Sequence, residues 1–380
     1  MARVPTPITA RIAEGVTSIS AAQWDACAGT ANPFVSHAFL AALEESGSAT
    51  VRTGWQPLPI VIEGTDGLPA AIAPAYGKSH SQGEYVFDHG WADAWERAGG
   101  RYYPKLQVAA PFSPVPGPRL LLRDPALAPG LIAGIEAVVD QNQLSSAHAT
   151  FVEDAQRPLF EQAGWLVRAG TQFHWHNDGY SSFDDFLAAL SSRKRKAIRK
   201  ERERAIEGLV IRHLQGAEIT EAHWDAFWVF YQDTGSRKWG RPYLTRPFFS
   251  LLGERMGDKV LLMLATRDGQ PIAGALNLIG GDALYGRYWG CSEDVPFLHF
   301  ELCYYQAIEA AIARGLPRVE AGAQGEHKLA RGYVPVTTWS AHYLPDAGFR
   351  RAVAEYLERE KAAVTNEQEY LGELTPFKKG

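Results

Sequence analysis

The chain has 380 residues, 46% of them hydrophobic and 21% charged. At roughly 150 residues per domain this is two or three globular domains, which excludes a fibre, a coiled coil and a disordered tail. The net charge of −5 disfavours a general DNA binder, and three scattered cysteines with no CxxC pair exclude a disulfide framework or zinc ribbon. No apolar run reaches the roughly 18 residues of a membrane span. The first residues lack an apolar signal segment, so a cytoplasmic protein is expected.

Along the chain, residues 58–76 read as two apolar strands joined at Asp66-Gly67, with Pro69 two residues beyond the glycine. Asp-Gly between apolar runs is a hairpin signal, because both turn residues tolerate positive φ. A third strand is expected at Tyr85–Gly90. A helix follows near 129–143, a strand near 149–153, a short helix at 156–163 and a strand from Trp165 to His176. Phe183, Phe186, Leu187 and Leu190 form an apolar helical stripe. It leads into residues 193–204, where eight side chains are basic and two acidic. In an acidic chain this run, with Arg195 and Arg199, is a candidate anion site for phosphates of a nucleotide, tRNA or lipid head group.

Trp224, Phe227, Trp228 and Tyr231 share one helical face, and Pro247 opens a second helix ending near Met256. Residues 260–279 repeat the first hairpin: apolar strand, Asp268-Gly269, Pro271, apolar strand. A strand at 285–290, a helix at 298–314, strands at 318–321 and 337–344, and a helix at 347–365 complete the pattern. The repeat predicts a tandem α+β protein, each half a mixed sheet flanked by helices. The expected domains are 1–177 and 178–380, the second carrying the basic helix 186–206.

Three segments add a resemblance. Leu190-Ser-Ser-Arg-Lys-Arg-Lys-Ala-Ile-Arg-Lys-Glu-Arg202, His299-Phe-Glu-Leu-Cys-Tyr-Tyr305 and Gly322-Ala-Gln-Gly-Glu-His-Lys-Leu-Ala-Arg-Gly-Tyr333 are similar to motifs of FemAB-like predicted N-acyltransferases. Those proteins use the GNAT acyltransferase fold twice. The resemblance implies cytoplasmic transfer of an acyl or aminoacyl group from a thioester or ester donor to an amine. The implied partners are a small-molecule, cell-wall or lipid precursor and a donor that is acyl-CoA or aminoacyl-tRNA. An aminoacyl-tRNA-dependent ligase and a non-catalytic binding module are the alternatives. The stretch Cys291–His299 departs from the CoA-binding pattern: it has no glycine and carries Glu293 and Asp294, which repel a pyrophosphate.

Transfer to an amine needs a base, oxyanion donors and a proton for the leaving group. Residues 320–331 offer Glu320, Gln324, Glu326, His327, Lys328 and Arg331, spaced by Gly322 and Gly325. Glu326 or His327 is the expected base, and Lys328 or Arg331 the anion binder. His299 and Glu301 open the long helix and join the catalytic candidates, with Tyr304 as a hydroxyl donor. Arg237, Trp239 and Tyr243 mix cations and rings in a cleft-like segment. His174 and His176 lack further ligands at zinc-like spacing, so no metal is expected.

Overall fold

The computed structural model describes residues 9–239, 242–322 and 326–378. Strand β1 (Ala10–Ile12) precedes helices α1 (Ala21–Ala28) and α2 (His37–Glu45). Strands β2 (Trp55–Pro57), β3 (Ile60–Glu63), β4 (Pro69–Ala73) and β5 (Ala75–Lys78) follow, then α3 (His89–Arg97), β6 (Lys105–Val108) and β7 (Leu121–Leu122). Next come α4 (Ala128–Gln141), β8 (Ala147–Val152), α5 (Arg157–Gln162) and β9 (Leu166–His176). The chain continues through α6 (Phe183–Ala189), α7 (Ser192–Ala205), β10 (Val210–Gln215), α8 (Glu221–Trp239) and α9 (Arg246–Met256). Strands β11 (Val260–Arg267), β12 (Gln270–Ile279) and β13 (Ala283–Cys291) lead to α10 (Leu298–Phe300), a π-turn at Glu301–Tyr305 and α11 (Gln306–Ala313). Strands β14 (Arg318–Glu320) and β15 (Val334–Tyr343) and helix α12 (Ala347–Glu373) close the series.

Two compact units result. One holds the described residues up to Gly170 with Thr338–Ala363; the other holds Thr171–Thr337 with the residues from Val364 on. The units therefore differ from the expected division at 177/178: the first includes Thr338–Ala363, with most of β15, and the second begins at Thr171, within β9. In the first, β5 pairs antiparallel with β6, β6 parallel with β8, and β8 antiparallel with β15. In the second, β10, β11, β12 and β13 pair antiparallel in turn, β13 pairs parallel with β14, and β14 antiparallel with the end of β9. Both units thus have the order expected of a GNAT-like fold, so the tandem mixed-sheet architecture holds.

The hairpins form where the sequence places them. Asp268 and Gly269 both have positive φ, 50° and 79°, as a two-residue turn requires. In the first hairpin only Gly67 does, and the turn is longer, with the Gly64 N–H donating to the Leu68 carbonyl at 2.8 Å. The expected strand at 85–90 is absent. Its place in the sheet is taken by β6, and the intervening stretch carries α3.

The reason lies in the first unit's polar interior. Lys105 is fully buried and donates to Ser81 Oγ (2.8 Å) and Glu84 Oε2 (2.7 Å), and it also pairs with Asp88. The Tyr102 hydroxyl donates to Asp88 Oδ2 at 2.7 Å. Glu84, just before the predicted strand, and Asp88, within it, are drawn to the Lys105 ammonium instead. Apolar packing surrounds them: α4 lays Leu131, Ile132 and Ile135 on the sheet, and Trp91 packs with Phe349 and Val353 of α12.

Removing Lys105 takes away the only ammonium paired with buried Asp88 among the described residues and leaves Glu84 with just the longer contact to Lys78, 3.7 Å. Lys105→Met should lower unfolding free energy by about 3–5 kcal/mol in a urea titration. Arg11→Ala breaks an exposed pair with Glu63 and should change it by less than about 1 kcal/mol. Equal effects would refute the assignment.

Candidate active site

In the second unit, β13 and β14 pair over three residues only, ending at Tyr285 and Glu320. Beyond that point β13 runs on to Cys291 while the other chain segment turns away at Gly322, whose φ is 80°. Among the described residues nothing else pairs with β13 on that side. The gap between the diverging segments is where the predicted residues collect.

Helix α10 and its π-turn supply one wall. Glu301 is fully buried. It accepts from Arg202 Nη2 at 2.8 Å and Nε at 3.0 Å, and from Gln306 Nε2 at 2.7 Å. Arg202 also donates to Glu309 and lies over the Phe183 ring, 4.4 Å from its centre. This clamp fastens α7 to the π-turn. A π-turn offsets the helical register of the residues within and after it, and Tyr304 is one of them.

The other wall is the turn after β14. Residues Glu326–Arg331 form a 3-10 helix. Arg331 is buried; it donates to the His327 carbonyl (2.8 Å) and to Glu201 Oε2 (2.9 Å) and stacks on Phe300, 3.4 Å from the ring centre. Lys328 is buried and its Nζ donates to the Gly322 carbonyl at 2.8 Å. Burial lowers its pKa to about 7. The exposed His327 ring brings Nε2 within 2.8 Å of the buried Tyr304 hydroxyl. His299 stands beside them, its ring centre 5.5 Å from Tyr304, 6.2 Å from His327 and 5.3 Å from Trp289. Burial raises the Tyr304 pKa, so this hydroxyl keeps its proton.

At the base of the gap Glu320 is buried. Its Oε1 accepts from Arg318 Nε at 2.9 Å, and its Oε2 has no hydrogen-bond partner and lies 3.9 Å from His174 Nε2. Burial raises the Glu320 pKa to about 7, against the pull of Arg318.

The structure thus brings His299, Tyr304, His327, Lys328 and Arg331 together. Glu301 is turned inward to Arg202, a positioning place with no route to a substrate. Arg199 is exposed and pairs with Asp184 at 3.0 Å; Arg195 is half-buried and has no ion pair among the described residues. Neither meets the Tyr304–His327 pair. The Tyr243 N–H donates to the Tyr231 hydroxyl at 3.1 Å, at the join of α8 and α9. Gln324 lies outside the described residues, as do the side chains of Glu326, Arg237 and Trp239. Sequence reasoning missed Glu201, Arg202, Trp289 and Thr234. The first two were counted as charge in a basic run, although the spacing of Arg202 from Ile198 puts it on the inward face. Among the described residues no group of three or more His, Cys, Asp or Glu could hold a metal ion.

Beside His299 lies a cavity of about 320 Å³. It opens where β13 meets α8. A Cβ on Gly290 would stand 2.1 Å from the Phe230 carbonyl oxygen, so only glycine lets this helix approach so closely.

A family model described as peptidoglycan biosynthesis/recognition, FemAB-like, matches residues 15–379. Among solved structures, FemX aligns with a TM-score of 0.56 at 12% identity, covering 88% of this chain and 98% of that one. L-PGS from Bacillus licheniformis aligns at 0.52 and 12%, covering 87% and 98%. The C-terminal DUF2156 domain of a putative lysylphosphatidylglycerol synthetase from Agrobacterium fabrum aligns at 0.50 and 12%, covering 82% and 95%. At such identities the likeness is one of fold. No curated protein matches the chain in sequence.

Glu320 offers a pH test. Its folded pKa exceeds its unfolded value, so its contribution to stability is complete below about 4.5 and is lost as pH rises through about 7. Against Glu320→Gln, the natural chain should lose on the order of 3 kcal/mol between these limits in urea titrations. Parallel pH profiles would show that the carboxyl is not held protonated.

Proposed function

The chain belongs to the FemAB-like family of peptidoglycan biosynthesis and recognition proteins, so it is a transferase of the acyl or aminoacyl class, and we propose that it carries an aminoacyl group from an ester donor to a primary amine of a cell-wall or lipid intermediate. The observation that carries this reading is the 2.8 Å contact between the Tyr304 hydroxyl and His327 Nε2 at the mouth of the gap after β13 and β14.

The amine nitrogen attacks the donor carbonyl. His327, on the exposed side of the pair, takes the amine proton as the C–N bond forms. Tyr304 gives its proton to the departing ester oxygen as the C–O bond breaks, and recovers one from His327. A phenol whose pKa burial has raised suits this part, since it releases its proton only to a strong base. Arg331 fixes the turn through the His327 carbonyl. Lys328 holds the Gly322 backbone and offers the developing oxyanion a hydrogen-bond donor, carrying positive charge below pH about 7.

Two features favour aminoacyl-tRNA over acyl-CoA as donor. Glu293 and Asp294 stand before α10, where a CoA pyrophosphate would need donors. Helix α7 presents Arg193, Lys194, Lys196 and Lys200 without ion pairs among the described residues, a charge pattern suited to a polyanion. Three cysteines, none in a disulfide among the described residues, fit a reducing cytoplasm as the compartment.

Tyr304→Phe and His327→Ala should each lower turnover at least ~10²-fold with melting temperature preserved. The assay pairs aminoacyl-tRNA with acyl-CoA as donors. Near-normal rates in both variants would end the assignment, and transfer from acyl-CoA alone would replace the donor.

A further inference from the structure

We propose that the cavity before α10 receives a primary ammonium group on a short aliphatic stem, the amino end of one of the two substrates. This deepens the transferase reading and rests on it for which substrate is meant. At about 320 Å³ the cavity has the volume of roughly ten waters, enough for a small amine with its stem.

Its walls fit that chemistry in three ways. Trp289, Val295 and Leu298 supply apolar surface for the stem, and the indole offers a π face to a cation. Asp294 lines the cavity and has no ion pair among the described residues, whereas its neighbour Glu293 is already matched by Arg267. Among the described residues one carboxylate of the lining therefore remains unmatched, and the described lining has no lysine or arginine. Thr234 Oγ1, also in the lining, is buried without any hydrogen-bond partner. A buried hydroxyl left unbonded is costly, and an ammonium is a donor that it can accept from. An ammonium donates only, so a carboxylate and a hydroxyl acceptor meet its needs. A phosphate only accepts, and Asp294 would oppose it.

The helix terminus does not reverse this preference. The Leu298 N–H is taken by the Val295 carbonyl at 3.2 Å, and Phe297 precedes the helix in a left-handed conformation with φ of 68°. The cavity also adjoins the chemistry. His299 lines it and is the ring neighbour of Tyr304 and His327. An ammonium held by Asp294 thus lies one side chain from the proposed proton-transfer pair.

Calorimetric titration of the full chain with n-butylammonium, 1-butanol and n-butyl phosphate tests the proposal. The ammonium should bind at least about fivefold more tightly than the alcohol, and the phosphate should bind least. Asp294→Asn should weaken ammonium binding about tenfold. Thr234→Val, which keeps the volume, should weaken it about fivefold, and Glu254→Gln on the exposed surface should leave it unchanged. Failure of the ammonium to bind, indifference to Asp294→Asn, or preference for the phosphate each overturns it. In the transfer assay, competition by n-butylammonium against the donor assigns the cavity to the aminoacyl group, and competition against the acceptor assigns it to the acceptor amine. Ammonium binding in a chain that transfers nothing would refute the transferase reading and keep this one. Transfer that persists without ammonium binding would do the reverse.

Discussion

A single buried carboxylate organises the second unit. Glu301 cannot be left charged in an apolar interior without a partner, so the helix that carries it must stay against Arg202. Satisfying that bond, with Gln306 closing from one side, accompanies a π-turn in place of a regular helix. The turn sends Tyr304 toward His327 and Tyr305 toward Glu201. Glu201 in turn grips Arg331, which holds the His327 backbone. The basic helix, the long helix and the loop after β14 are therefore one connected polar frame. Apart from Arg199, the outward cations of α7 make no ion pair among the described residues, and Arg202 and Arg331 are tied into the frame.

The two units use the same strand order for different ends. In the first, the strand equivalent to β13 begins with Lys105, whose charge is spent on Glu84 and Asp88 within the core. In the second, the matching strand runs beside an open gap with Arg287 and Trp289 along it. One copy has filled its interior with an ion cluster of Lys78, Lys105, Glu84 and Asp88. The other has kept polar groups, such as Glu320 Oε2 and Thr234 Oγ1, that find no partner in the protein itself.

Much of this was legible in the residues. Asp-Gly turns between apolar runs located both hairpins, and Gly322 with the dense polar run after it located His327, Lys328 and Arg331. The glycine-free acidic stretch before α10 was plain in the residues as well. The failures have physical reasons. Tyr85–Gly90 has the apolar look of a strand, but Glu84 and Asp88 answer to Lys105, a distant residue that no local pattern records. Glu301 reads as a catalytic acid or a dipole partner because its true partner is Arg202, on a separate helix. The basic run was summed as net charge, and a sum carries no direction; the i, i+4 spacing from buried Ile198 marks Arg202 as inward. A π-turn leaves no mark in hydrophobic spacing at all.

The interleaving of the units bears on how the protein is made. A domain emerging from the ribosome normally folds before its successor is complete. Here the first unit lacks its closing strand and the helix segment within Thr338–Ala363 until residues 171–337 of the second unit have been synthesised. Its early-made sheet edge at β8 waits, unpaired, through translation of most of the second unit. That edge is the place where a nascent chain of this kind is most open to chaperones and to mispairing.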